Sequence, residues 1–133
     1  MPSKLFIIYY SLFMKIVNIV LCVLFLLFLA VQYNDPDPHL WMAIYGFVAW
    51  ICALAAVKKY NKPFILIGLS ILTIYTLTYV PDFIDWIKMG MPNIVETMKA
   101  NTPYVELTRE FGGLIICDAI LLWQFSQARK FTT

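Results

Sequence analysis

An all-α, polytopic membrane protein with four transmembrane helices is what this sequence predicts, and three observations carry that expectation. Hydrophobic residues fill 62% of the 133 positions against 14% charged, with a mean hydropathy of +0.77, whereas soluble domains hold about half apolar and a quarter charged residues. Four apolar stretches approach the roughly 20 residues that a helix needs to cross a bilayer. Basic and acidic residues then sort to opposite ends of those stretches. The chain reads as one four-helix domain with spans at about 15–34, 38–58, 63–80 and 103–128, and a longer connection at 81–102. A formal charge of +2 is too small to point to nucleic acid. Cys22, Cys52 and Cys117 lie inside apolar runs with no CxxC spacing. They read as packing residues rather than a disulfide framework.

The segment before Met14 carries Lys4 and the tract LFIIYYSLF. It reads either as an interfacial helix or as an extension of span one, and Met14-Lys15 offers an alternative start of translation. No small-x-small pair follows the apolar run, so cleavage is not expected. Span one covers about Ile16 to Tyr33. At 100° per residue, Asn18, Cys22, Phe25, Leu29 and Gln32 share a stripe, which is expected to face the other helices because polar side chains in a bilayer turn toward protein.

The corner Gln32–Trp41, QYNDPDPHLW, holds the chain's only histidine. A residue preceding proline avoids helical dihedrals, so Asn34 and Asp35 end span one. Asp37 then caps span two with Pro38 at its first position. Turn chemistry thus accounts for Asp37, Pro36 and Pro38 without a functional role. Span two carries Trp41 near its start, then Gly46, Ala49, Ala53 and Ala56 as small residues for close approach, and stops at Lys58-Lys59. Span three follows a tight turn at Tyr60–Lys62 and runs from Phe64 to about Val80. Its Ser70, Thr73 and Thr76 fall near one side, as packing groups first and a polar lining second.

In the connection Pro81–Thr102, Phe83, Ile84, Trp86 and Ile87 interleave with Asp82, Asp85 and Lys88, the pattern of a short helix lying in the headgroup region with its aromatic face down. Asn93-Ile94-Val95-Glu96 has capping-box spacing and opens a second short helix to about Ala100. Span four has a short apolar core, Phe111–Trp123, interrupted by Asp118. Extending it back to Thr102-Pro103 gives a helix long enough to cross, with Glu106, Arg109 and Glu110 at its mouth.

Lys4, Lys15, Lys58, Lys59, Lys62, Arg129 and Lys130 gather at one end of the spans, and Asp35, Asp37, Asp82, Asp85, Glu96, Glu106 and Glu110 at the other. The positive-inside rule then puts both termini in the cytoplasm of a multi-pass protein of the cell membrane, the inner membrane in a bacterium.

Asn34, Asp35, Asp37, Trp41, Arg109 and Glu110 form the expected outer cluster. Arg109 is positioned to bridge Asp35 or Asp37 in a bidentate clasp. The other reading groups Asp35, Asp37, His39, Glu106 and Glu110 as ligands for Ca²⁺, Mg²⁺ or Mn²⁺. No ligand spacing matches a known loop and Arg109 competes for the same carboxylates, so no cofactor is expected. Asp118 sits about eight residues below Glu110, roughly 12 Å into the membrane. An ionisable group there is a functional candidate. It reads as a neutral aspartate bonded to Thr73, Tyr75 or Thr76, or else as a proton or ligand site. His39 reads as an exposed turn residue. No nucleophile with a base and no phosphate-binding glycine loop is visible, so an enzyme is not the leading reading.

QYNDPDPHLW followed by Tyr45, together with ELTREFGGLII at Glu106–Ile116, resembles the transmembrane protein 220 family of small four-helix membrane proteins over Met14–Phe125. Asn34, Asp35, Pro36, Asp37, Trp41, Tyr45, Arg109, Glu110, Gly113 and Leu114 match its pattern, which adds Tyr45 to the candidate binding residues. His39, Asp118 and the segment before Met14 are not part of it. The resemblance implies a fold and a membrane address but no activity. The function expected is a non-enzymatic membrane protein: an accessory subunit of a membrane assembly, or a lipid or small-molecule binding module with the outer cluster as its recognition surface. Its partners are then the bilayer and a membrane protein or second copy. The alternative is a proton- or cation-coupled carrier or membrane enzyme that uses Asp118 and the outer acids.

Overall fold

The computed structural model describes residues 3–34, 38–92 and 103–131. Five α-helices follow in order: α1 Lys4–Val31, α2 Pro38–Ala56, α3 Lys62–Leu77, α4 Val80–Lys88 and α5 Pro103–Phe131, with a single 3-10 turn at Gln32–Asn34 after α1. Four stretches are long and apolar enough to cross a membrane: Lys4–Val31, Pro38–Ala56, Lys62–Lys88 and Leu107–Lys130. The third takes in both α3 and α4.

Local chemistry sets the ends of these helices. Ser3 caps α1, its side chain accepting from the Phe6 N–H at 3.1 Å. The segment before Met14 is therefore continuous with the first span, because Ser3 caps the helix and no glycine or proline interrupts it before Lys15. Asn61 caps α3 by accepting from Phe64 N–H at 3.2 Å, with Pro63 in the first turn. At the close of α2, Lys59 N–H reaches Leu54 O at 2.8 Å and Lys58 N–H reaches Ala55 O at 2.9 Å, the paired bonds of a Schellman motif. Lys58 occupies its left-handed position with φ +60°. Gly90, at φ +89°, does the same after α4. Arg129 and Lys130 end α5, where cations complement the negative end of the helix dipole.

Within the bundle α1 packs on α2, and α5 packs on α2, α3 and α4. The expected stripe on α1 does turn inward: Asn18, Phe25 and Gln32 are buried, and Cys22 and Leu29 are half-buried. Gly46 brings α2 close to Leu29 of α1, and Gly68 of α3 abuts the Phe47 ring of α2 so closely that a Cβ there would collide with it. Ala49 and Ala56 are buried as small packing residues, but Ala53 is exposed. Of Ser70, Thr73 and Thr76 on α3, only Thr76 faces the interior. Ser70 and Thr73 are exposed, which corrects the expectation of a three-hydroxyl lining, since the buried face of α3 runs Ile65, Leu72, Thr76. The short helix α4 forms where the interleaved aromatic pattern predicts one, and Phe83 on it packs against α5, with the Phe83 and Phe111 ring centroids 4.6 Å apart. The second short helix expected at Asn93–Ala100, the Asp37 cap and the Thr102 cap lie outside the described residues. Cys52 and Cys117 are buried, Cys22 is half-buried, and all three are free thiols.

Candidate functional site

The inward face of α5 follows helical spacing through Phe111, Leu114, Cys117, Leu121, Gln124 and Ala128, all buried. Polar groups enter this face at three depths. At each depth a side chain of α5, Glu110, Asp118 or Gln124, hydrogen-bonds a residue from another part of the bundle.

At the acidic end, Tyr79 donates its phenol proton to Glu110 Oε2 at 2.6 Å, and the Tyr75 and Tyr79 hydroxyls lie 3.1 Å apart. Beneath them is an aromatic floor. Trp41, 2% exposed, and Tyr45, 9% exposed, have ring centroids 6.1 Å apart, and Trp41 and Tyr75 are separated by 6.4 Å. Tyr45 also meets Phe25 and Phe28 of α1 at 6.2 and 5.7 Å. Its hydroxyl abuts Gly113, where an added Cβ would strike it. Gly113 is needed for that approach, so Tyr45 and Gly113 form one packing unit.

Midway along α5, Thr76 Oγ1 lies 2.6 Å from Asp118 Oδ2 and 2.7 Å from Leu72 O. Thr76 is thus the partner of Asp118 among the three that span three offered. The other carboxyl oxygen, Oδ1, is buried without a partner among the described residues.

Toward the basic end, Gln124 Nε2 donates to Asn18 Oδ1 at 2.6 Å and lies 3.5 Å from Cys52 Sγ. Asn18 Nδ2 in turn donates to Met14 O of its own helix at 3.0 Å. Three spans meet at this amide. Gln124 Oε1, Gln127 Oε1 and Thr108 Oγ1 are buried and lack partners among the described residues.

Of the sequence candidates, Trp41 and Tyr45 lie inside the bundle rather than on its outer surface, because an aromatic ring on this face of α2 fills the gap between α1 and α3. Arg109 and Glu110 are half-buried on the first turns of α5 above that floor, and His39 is exposed. The side chains of Asn34, Asp35, Asp37 and Glu106 lie outside the described residues, and with them the proposed Arg109 clasp. Among the described residues no group of three His, Cys, Asp or Glu side chains could hold a metal ion. Sequence reasoning missed Tyr79 and Gln124. A signal existed for the second: the lone amide Asn18 in an apolar span calls for a polar partner from another helix, and the last span offers the amides Gln124 and Gln127.

In comparisons with curated proteins and with solved structures, nothing matches the chain. A match to a protein family, described as transmembrane family 220, helix, covers residues 24–126. That stretch holds Trp41, Tyr45, Tyr79, Glu110, Gly113, Asp118 and Gln124, and so the greater part of the network just described. With most of its length matched and four apolar helices able to cross a membrane, the chain belongs to transmembrane family 220.

Proposed function

We propose that the protein is a non-enzymatic membrane module that binds a neighbouring membrane subunit or a small molecule at its acidic end, which by the positive-inside rule faces outward with both termini in the cytoplasm. The observation that carries this reading is the Glu110–Tyr79–Tyr75 chain of hydroxyl and carboxylate groups, held over the buried Trp41 and Tyr45 rings. A carboxylate fixed by a phenol on a rigid aromatic floor is preorganised, so a ligand that bonds it loses little freedom of the site. Arg109, on the preceding residue of α5, gives the same rim a charge of the opposite sign. Gentle solubilisation followed by mass measurement tests the reading. A co-purifying protein or small molecule is expected with the wild type and is expected to be lost in Glu110→Gln with the helices intact. A lone monomer that carries nothing would count against it.

A second reading makes the protein a proton- or cation-coupled carrier, and Asp118 supports it. The Thr76 hydroxyl has one proton for two close acceptors, Asp118 Oδ2 and Leu72 O, and a proton on the carboxyl would fill both contacts. Together with the unpartnered Oδ1, this describes an aspartate able to hold or release a proton inside the membrane. Flux across reconstituted vesicles by Asp118→Asn decides between the two: unaltered flux removes the carrier.

A further inference from the structure

At the opposite, basic end, α1 and the close of α2 leave a cavity of about 210 Å³. Ser11 and Lys15 of α1 line it together with Lys58 and Tyr60 of the turn between α2 and α3, and Tyr10 borders it. A wider recess of about 560 Å³ shares Ser11, Lys15 and Lys58 and continues over Ile8, Leu12 and Val57, which lie on the exposed apolar surface of the bundle. The cavity therefore opens sideways, toward lipid. Among the described residues lining either space there is no carboxylate.

Lys58 is unusual in its backbone. It occupies the left-handed position of the Schellman motif at φ +60°, where glycine is the usual residue because a Cβ is disfavoured there. The chain thus carries a strained lysine at a turn residue that lines the cavity together with Lys15. Burial, and then the neighbouring Tyr10, push the Tyr60 phenol above its ordinary value, so that it remains an O–H donor.

We propose that this cavity binds the phosphate of an anionic membrane lipid, with the Lys15 and Lys58 ammonium groups as counter-charges, the Ser11 hydroxyl as a neutral donor, and the acyl chains lying over Ile8, Leu12 and Val57. Charge complementarity and the opening onto the apolar surface select a lipid over a soluble anion. Basic pockets between transmembrane helices take anionic headgroups in this way. Ser11 and Lys15 precede the stretch that matches the family, 24–126, so family membership does not supply the site. It is separated from the acidic-end surface by the length of the bundle and stands or falls independently of it.

The test uses the full chain in phosphatidylcholine nanodiscs titrated with phosphatidic acid, with bound lipid read by native mass spectrometry and folding by the thermal midpoint in phosphatidylcholine alone. Wild type is expected to retain phosphatidic acid in preference to phosphatidylcholine. Lys15→Gln and Lys58→Gly are each expected to weaken that retention about fivefold. Lys59→Gln, exposed at the next position but off the cavity wall, is expected to change it less than twofold. Lys58→Gly relieves the left-handed strain, so its midpoint in phosphatidylcholine is expected to equal or exceed the wild type, which separates lost binding from lost folding. Three results would overturn the proposal: unchanged retention in Lys15→Gln and Lys58→Gly, an equal loss in Lys59→Gln that marks diffuse surface attraction, or displacement of the lipid by millimolar inorganic phosphate.

Discussion

At the residue scale, Gln124 shows why polar side chains persist inside an apolar bundle. Its amide joins α5 to Asn18 of α1 and touches Cys52 of α2, so one side chain fixes the rotation of three helices. Lipid tails are as apolar as leucine, which leaves packing and interhelical hydrogen bonds to hold such helices together. Gln124→Leu is expected to destabilise the protein by about 1–2 kcal/mol, because it strands Asn18 Oδ1 without a donor. The double change Asn18→Leu with Gln124→Leu is expected to recover part of that loss, a coupling that reversible unfolding in detergent measures. Gly113 makes a steric case. Gly113→Ala drives a methyl group into the Tyr45 hydroxyl and is expected to cost about 1–3 kcal/mol. Tyr45→Phe removes the obstructing oxygen and is expected to restore stability to Gly113→Ala, whereas no recovery in the thermal midpoint would mean that the contact is not what requires glycine.

Among the elements, α5 organises the bundle. It packs against α2, α3 and α4 and supplies Glu110, Asp118 and Gln124 to the hydrogen bonds with Tyr79, Thr76 and Asn18. Its weak apolar character in the sequence has this cause, since the face that bonds Tyr79, Thr76 and Asn18 cannot also be hydrocarbon. The sequence therefore makes α5 look the least membrane-like of the four spans while the fold makes it central. The short helix α4 depends on α5 in turn. Phe83 rests on Phe111 at 4.6 Å, and Phe83→Ala is expected to cost about 3 kcal/mol or less and to raise the reactivity of a cysteine placed at Ile87 toward a water-soluble maleimide. The turn that ends α2 carries the opposite prediction: Lys58→Gly is expected to stabilise the protein by about 1 kcal/mol, the scale of the left-handed penalty for a residue with a Cβ.

For the whole molecule, the sorting of charge gives a topology that labelling can check. Cysteines introduced at Lys59 and at Asp85, both exposed, are expected to react with a membrane-impermeant reagent from the cytoplasmic and the outer side respectively; the reverse pattern would invert the topology. Much of the architecture was legible in the chain itself, because span length, hydropathy and charge sorting are properties of local sequence that the bilayer reads directly. The inward stripe of α1, Asn18 to Gln32, was legible for the same reason, as a helical period written over contiguous residues. The partners were not legible. That Tyr45 meets Gly113, that Thr76 rather than Thr73 or Tyr75 meets Asp118, and that Ser70 turns outward depend on the rotation and neighbours of each helix. Those are set by ring packing and close approaches such as Phe47 on Gly68, contacts between residues far apart in the chain. Sequence alone therefore determined that the protein crosses the membrane four times and where its charges lie. Only the tertiary structure decided that Trp41 of the corner and Tyr45 beyond it belong to the core, and that a basic cavity opens at the other end, since both depend on which faces of separate helices meet.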